Sequence, residues 1–250
     1  MTRAIGIVPA RWASTRFPGK ILHPVCGRPL LHWVLARARR ARRLAEVIVA
    51  TDDERIRAAA KTAGVEAVLT DPAHASGTDR VAEAARGRRA DVVVNIQGDE
   101  PLLDPELVDA LVDALADGRW DMATAACPLA EEATARRPSV VKVVCAADGT
   151  ALYFSRALIP FFRDRAPDAP FPPDIYLRHI GLYAYRGSFL KRFTATPPSR
   201  LEQIEKLEQL RALEMGSRIL VRMAREAGVG VDTPEDVPAA EAALRAAGEV

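Results

Sequence analysis

The sequence has little cysteine, almost no net charge and no long apolar run, and each shortage removes a class of function. Its 250 residues include only three cysteines, Cys26, Cys127 and Cys145. They are far apart and form no C-x-x-C pair, so nothing indicates a disulfide framework, a zinc site or redox chemistry. A reducing, cytoplasmic setting fits them. Lys and Arg number 35 against 33 Asp and Glu, a formal charge of +2, which argues against a nucleic-acid binder with its clustered basic excess. The arginine-rich run "RARRARR" (37–43) is interrupted by Ala and reads as a solvated helix face. No apolar run reaches the roughly 18 residues of a membrane span, and the N-terminal run is too short for a signal peptide. Two nucleotide signatures are missing as well: no G-x-G-x-x-G occurs, and "FPGKIL" lacks the upstream Gly and the Ser or Thr after Lys of a Walker A loop.

What is present is an ordinary globular composition, 49% apolar and 27% charged, in a chain long enough for one large α/β domain. Short β-rich runs alternate with helical stretches, a rhythm that implies crossover connections and a mostly parallel sheet. "AIGIVPA" (4–10), "EVIVATD" (46–52), "VEAVLT", "DVVVNIQGDEP" and "DMATAACPL" read as strands. Helices are expected over 28–41, over 53–64 with a cap from Thr-Asp-Asp and a stop at Gly64, near 78–86, and over 105–116. From Pro138 the rhythm changes: Asp148-Gly149 marks a hairpin turn, a Pro-rich stretch follows, and "IYLRHIGLYAYR" alternates aromatic and aliphatic residues. The reading is one domain, 1–250, with an embedded extension at 138–197. "SRLEQIEKLEQLRALEMG" (199–216) then predicts one helix, with Ser199 and Glu202 as a capping box and Gly216 as its end. A strand at "RILVRMA", a loop and an Ala-rich terminal helix complete the chain.

Three segments could carry chemistry. "VPARWASTRFPGK" (8–20) lies between the first strand and first helix, the side of an open α/β sheet where ligands bind. It offers Arg11, Arg16 and Lys20, the hydroxyls of Ser14 and Thr15, and turn amides, a set suited to a polyphosphate. A surface loop whose basic residues pair with nearby acids fits it equally. "NIQGDEP" (95–101) ends a buried strand in Gly98, Asp99 and Glu100, with Gly98 admitting a ligand close to the backbone and Asp99 a hard oxygen ligand for magnesium. Asp104, just before Pro105, reads as a helix cap. "GVGVDTPED" (228–236) taken alone is an N-cap followed by Pro. Paired with Asp99 on one sheet edge, Asp232 could share a metal with it. Among the less specific signals, "HASGTDR" could read a base edge through Ser76, Gly77 and Thr78. Arg156, Arg178 and His179 sit among apolar neighbours, where each needs a partner such as an ion pair or a bound carboxylate.

Taken in order, "IVPARWASTRFPGK", "VIVATDDERI", "SGTDR", "VNIQGDEP", "VKVV", "ALYFSRALIP", "RHIGLYAYR", "LEQIEKLEQLRAL" and "GVDTPED" cover nearly the whole chain. The set resembles the 3-deoxy-manno-octulosonate (Kdo) cytidylyltransferases. Other cytidylyltransferases of acidic sugars, acting on an amino analogue of Kdo or on sialic acid, and an idle nucleotide-binding homologue are the alternatives. The resemblance implies a nucleotidyltransferase (Rossmann-like) three-layer α/β sandwich with a mostly parallel central sheet and a β-rich dimerisation extension. It implies transfer of CMP from CTP to the anomeric hydroxyl of Kdo for lipopolysaccharide synthesis, with magnesium (Mg2+) as cofactor, in a cytoplasmic homodimer.

By matching positions, the resemblance gives Arg11 and Lys20 to the triphosphate and Asp99 and Asp232 to the metal, these four forming the catalytic set. Pro9, Ala10, Arg11 and Lys20 with Ser76, Gly77 and Thr78 would bind the nucleotide. Gln97, Arg156, His179, Tyr183, Glu208 and Gln209 would line the sugar pocket, Arg156 facing the Kdo carboxylate. Phe161, Phe162 and Phe171 would bury at a subunit interface. Departures are small: Trp12 stands where Tyr is common, and Asp79 where Glu is common.

Overall fold

The first apolar run is strand β1 (Ala4–Ala10), and its residues alternate between two layers: Ala4 and Val8 join one core cluster, Ile5 and Ile7 the other. This period of two is what a strand covered on both faces requires. The structure is a computed structural model and describes residues 2–13, 16–166, 169–172 and 174–250. Ser14 and Thr15, expected to offer hydroxyls, lie outside the described residues. After β1 come a small hairpin, β2 (Pro24–Val25) and β3 (Arg28–Pro29), then α1 (Leu30–Ala38), β4 (Leu44–Thr51), α2 (Glu54–Thr62), β5 (Glu66–Leu69) and α3 (Gly77–Ala84). Next are β6 (Val92–Asn95), α4 (Pro105–Ala114), β7 (Met122–Pro128), α5 (Glu132–Ala135), β8 (Lys142–Cys145), β9 (Ala151–Ser155) and β10 (Leu177–Arg186). The chain ends with α6 (Gly187–Ala195), α7 (Arg200–Glu205), α8 (Gln209–Glu214), β11 (Ile219–Met223) and α9 (Val237–Ala246).

The main sheet has the order β11-β7-β10-β6-β1-β4-β5. Along this path β10 is antiparallel to both neighbours and the other pairs are parallel, so every strand but β10 runs one way. From β1 the chain steps outward to β4 and β5, then returns to β6 on the other side of β1. That reversal opens a crevice beyond the carboxyl ends of β1 and β6, where open α/β sheets bind ligands. Helices α1, α2 and α4 supply Val34, Ile56 and Leu111 to one face, while α3, α6 and α8 supply Val81, Phe189 and Leu210 to the other. Each such side chain removed from water contributes about 1.5–3 kcal/mol. A third cluster, with Leu30, Trp33, Val231 and Leu244, docks the C-terminal segment on α1 and so brings residue 232 to the same crevice.

Local signals hold where their chemistry is local. Asp53 caps α2 and Asp104 caps α4, each accepting from the amide two residues on. Asp148 and Gly149 turn the β8–β9 hairpin, Gly149 at φ 83°. The expected helix over 199–216 is instead two. Ser199 and Glu202 do form the capping box, but Lys206 adopts the left-handed conformation (φ 54°) and separates α7 from α8. Arg156 explains the break: its Nε and Nη2 donate to the carbonyls of Glu205 and Lys206, acceptors that a continuous helix would use itself.

The stretch 138–197 also divides. Strands β8 and β9 branch from the main sheet, β8 pairing antiparallel with the start of β10 and with β9, whereas β10 itself lies between β6 and β7, and α6 covers its core. Phe161 is 86% exposed and Phe162 is exposed, but Phe171 stacks on Tyr176 within the chain, with ring centroids 4.8 Å apart.

Candidate active site

A polar cavity of about 320 Å³ opens at the crevice, and its walls come from four segments distant in sequence. Pro9, Ala10, Arg11, Arg16 and Lys20 come from the first loop, Ser76, Gly77 and Arg80 from the start of α3, Gln97 to Asp99 from the end of β6, and Asp232 from the C-terminal loop. Gly98 makes the approach of these segments possible. A Cβ there would stand 3.1 Å from Ile21 Cδ1 and 3.3 Å from the Pro9 carbonyl oxygen, so the missing side chain is filled by the fold as well as bordering the cavity.

Lys20 is the centre of the site. It opens a single turn of 3-10 helix, Lys20–Leu22, after Gly19 in a left-handed conformation. Its side chain is only 12% exposed. Its Nζ donates to Asp99 Oδ2 at 2.5 Å, to Asp232 Oδ1 at 3.1 Å and to the Val231 carbonyl at 3.1 Å. Arg16 also donates to Asp232 Oδ1, at 2.9 Å. Asp232 is not the cap that its flanking Thr-Pro suggests. Thr233 and Asp236 form the capping box there, and the Asp232 carboxylate turns to the loop cations. Two carboxylates far apart in the chain, one from mid-chain and one from the C-terminal loop, therefore approach one cationic centre. Beside them the Glu100 carboxyl is pushed up to about 7, by burial first and then by Asp99, with the Arg178 charge opposing.

At the α3 end, Ser76 caps the helix by accepting from the Asp79 amide at 3.1 Å. Ser76 and Gly77 border the cavity, but Thr78 is buried and donates at 2.5 Å to Glu208 Oε2, away from the expected base edge. Burial raises the Glu208 carboxyl, and the Thr78 bond opposes that shift. His74 and Arg80, at the two ends of the "HASGTDR" segment from which the sequence singles out Ser76, Gly77 and Thr78, also border the cavity. Arg80 is buried, donating to Thr70 Oγ1 at 2.5 Å and to Asp52 Oδ2 at 2.8 Å. The Thr-Asp-Asp strand end is thus shared, Asp53 capping a helix and Asp52 holding Arg80.

Of the expected sugar-side residues only Gln97 lines this cavity, while His179 and Tyr183 lie on β10. Gln97 packs its stem toward Gly181, where a Cβ would lie 3.8 Å from Gln97 Cγ. His179 and Tyr183, on the same strand as Gly181, have ring centroids 5.4 Å apart. His179 shares a 3.0 Å hydrogen bond with Thr124 and is held down to about 3 by burial, so it is neutral. Burial raises the Tyr183 hydroxyl. Glu208 accepts from Thr78, and Gln209 is buried with its amide nitrogen unpartnered among the described residues. Arg156 differs from expectation: instead of presenting its guanidinium to a sugar carboxylate, it donates to the carbonyls of Glu205, Lys206 and Pro138.

Among the described residues no group of three or more His, Cys, Asp or Glu comes together as a metal site. The donors available to a cation are Asp99 and Asp232, both hard oxygen ligands, with the remaining positions open to phosphate oxygens. Among those residues, too, no helix is long and apolar enough to cross a membrane.

Comparison with known proteins places this geometry. The sequence profile described as Cytidylyltransferase matches residues 5–219. A 3-deoxy-manno-octulosonate cytidylyltransferase of Syntrophobacter fumaroxidans is 53% identical over 241 residues, covering 95% of each chain. Another, from Nitratidesulfovibrio vulgaris, is 55% identical over 235 residues, covering 93% of this chain and 92% of the other. Among solved structures, a CMP:2-keto-3-deoxy-manno-octonic acid synthetase complexed with CTP matches all of both chains, with a TM-score of 0.91 and 39% identity. A 4-diphosphocytidyl-2C-methyl-D-erythritol synthase from Anaerococcus prevotii, at 14% identity and a TM-score of 0.64, shares the fold.

Proposed function

The chain belongs to the 3-deoxy-manno-octulosonate cytidylyltransferase family, and from that premise we propose that it transfers CMP from CTP to the anomeric hydroxyl of Kdo. The oxygen–phosphorus bond to the sugar forms, the bond from the α-phosphorus to the bridging oxygen breaks, and pyrophosphate leaves. The observation that carries the reading is the meeting of Lys20, Asp99 and Asp232 on one cavity. Arg11 and Lys20 bind the triphosphate and offset the charge that grows on the leaving pyrophosphate. Pro9, Ala10, Ser76 and Gly77 supply the wall against the nucleotide. Gln97, His179, Tyr183, Glu208 and Gln209 form the sugar side, and Arg156 shapes it by holding the break between α7 and α8.

The oxygen donors of Asp99 and Asp232 fit magnesium, and their common approach to the Lys20 ammonium supports a cation position between them. Magnesium bound there would neutralise phosphate charge and favour ionisation of the attacking hydroxyl. The protein's own part is to bind, orient and neutralise, the main work in nucleotidyl transfer. A homodimer is supported by the exposed Phe161 and Phe162. A cytoplasmic place is supported by CTP as donor and by three free cysteines. The product would feed lipopolysaccharide synthesis.

Pyrophosphate release tests the reading. Protein with CTP, Mg2+ and Kdo is expected to turn over. Activity only with sialic acid or a sugar phosphate would overturn the acceptor, and no release with any acceptor would support an idle homologue. Sedimentation tests the dimer.

A further inference from the structure

The phosphate-side loop is held by a stack that the mechanism above does not use. The Arg55 guanidinium lies 3.4 Å from the centroid of the Trp12 ring. Asp53 fixes that guanidinium with two bonds, Nε to Oδ1 at 2.9 Å and Nη2 to Oδ2 at 2.6 Å. On Gly19 the same indole lies so close that a Cβ would meet Cη2 at 2.8 Å and Cζ2 at 3.0 Å. The loop is also closed by the Gly19 amide, which donates to the Trp12 carbonyl at 3.1 Å. Gly19 immediately precedes Lys20, so whatever orders Trp12 orders the start of the turn that aims Lys20 at Asp99 and Asp232.

We infer that Trp12, stacked between Arg55 and Gly19, is a positioning residue that holds the Gly19–Lys20 turn of the triphosphate site in its working shape, with Arg55 and Asp53 as its outer support. The physical basis is preorganisation. A guanidinium over an indole face is an attractive, directional contact, and a loop already ordered loses less entropy when it closes on an anion. Trp12 touches no reacting atom, so its effect falls on CTP binding rather than on the chemical step. The position also accounts for Gly19: any side chain there would collide with the indole and would sit at an unfavourable φ of 72°.

The inference rests on the reading of this loop as the CTP site, and the test separates the two. Three measurements are made on full-length wild type, Trp12→Ala, Arg55→Ala and Trp12→Phe: CTP binding by calorimetry, steady-state kinetics with CTP and Kdo, and amide hydrogen exchange of residues 16–22 without ligand. Trp12→Ala is expected to weaken CTP binding and raise KM for CTP about tenfold, and Arg55→Ala about threefold, with kcat and KM for Kdo changed less than about twofold. Exchange at Gly19 and Lys20 rises in both. Trp12→Phe, which keeps a ring for the stack, restores CTP binding and slow exchange. Unchanged exchange and CTP affinity in Trp12→Ala would overturn the inference, as would equal losses for CTP and Kdo or failure of Phe to rescue. Wild type that binds CTP but does not use Kdo would overturn the acceptor alone. Wild type that binds no CTP would overturn the nucleotide reading, and the exchange data would still decide whether the stack orders the loop.

Discussion

On the nucleotide side, Lys20, Asp99, Asp232 and Arg16 satisfy one another across an open polar cavity. On the proposed sugar side, Arg156, His179 and Glu208 are bonded inward, to main-chain carbonyls, to Thr124 and to Thr78. The difference decides what each group can give to a ligand. Charges paired with each other at a cavity can exchange one ionic partner for another when a polyphosphate and its metal arrive. A guanidinium that serves carbonyls at a helix break cannot leave without abandoning those acceptors, and buried groups left without a partner are costly. The first side is built to trade partners, the second to keep its shape.

The strongest way to break this comparison is Asp99→Asn. It removes one carboxylate from the exchanging set and is expected to lower kcat/KM by about a thousandfold, with the circular dichroism spectrum and melting temperature nearly unchanged. A fall in stability matching the loss of activity would show that Asp99 belongs to the fold instead. Lys20→Met comes next, with an expected loss of about a hundredfold in kcat/KM, seen largely as weaker CTP binding. Loss of Kdo affinity alone would place Lys20 on the wrong side of the comparison.

Arg156→Met sharpens the sugar side. Because the side chain serves three carbonyls, the expected effect is on stability, about 2 kcal/mol, or a melting temperature lower by roughly 4–8 °C. A variant of normal stability with a much raised KM for Kdo would show Arg156 acting on the sugar carboxylate after all. The smallest effect at neutral pH is that of His179, which acts on stability only as the pH falls. Burial holds its folded pKa at about 3, below the ordinary value of 6.5, so the unfolded chain takes up the proton first. Its contribution to stability is therefore complete above pH 6.5 and is lost as pH falls toward 3, by at most about 1.4 kcal/mol per pH unit. His179→Gln is expected to flatten that part of the melting-temperature profile. An inflection in kcat near pH 6.5 that disappears in the same variant would instead make His179 a titrating group of the site.

Legibility in the sequence followed the range of the interaction. The Asp53 and Asp104 caps and the Ser199–Glu202 capping box depend on residues two or three apart, and each stands as read. The strand β1 and the turn at Gly149 are equally local. The helix over 199–216 was not readable as two because Arg156, more than forty residues earlier, takes the carbonyls at its middle. Thr78 was misplaced for a similar reason: its polar neighbour at the helix start suggested a ligand contact, while Glu208 reaches it from 130 residues away. His74 and Arg80 flank Ser76–Thr78 in the same "HASGTDR" segment, but which of its residues face the cavity is set by how the chain between β5 and β6 packs, not by any local pattern.

The sequence by itself determined the alternating α/β order, the basic loop with Lys20, and two carboxylates of the right chemistry, although only Asp99 follows a strand and Asp232 lies in a loop, because periodicity, turn residues and ligand type are properties of short segments. Only the tertiary structure decided that Lys20 stands between Asp99 and Asp232, that Arg16 is an ion-pair partner of Asp232, and that Arg156 holds a broken helix rather than facing the cavity. Those pairings join residues tens to hundreds of positions apart. They depend on which strands lie beside β1 and on the docking of the C-terminal segment against α1, and no local pattern specifies either.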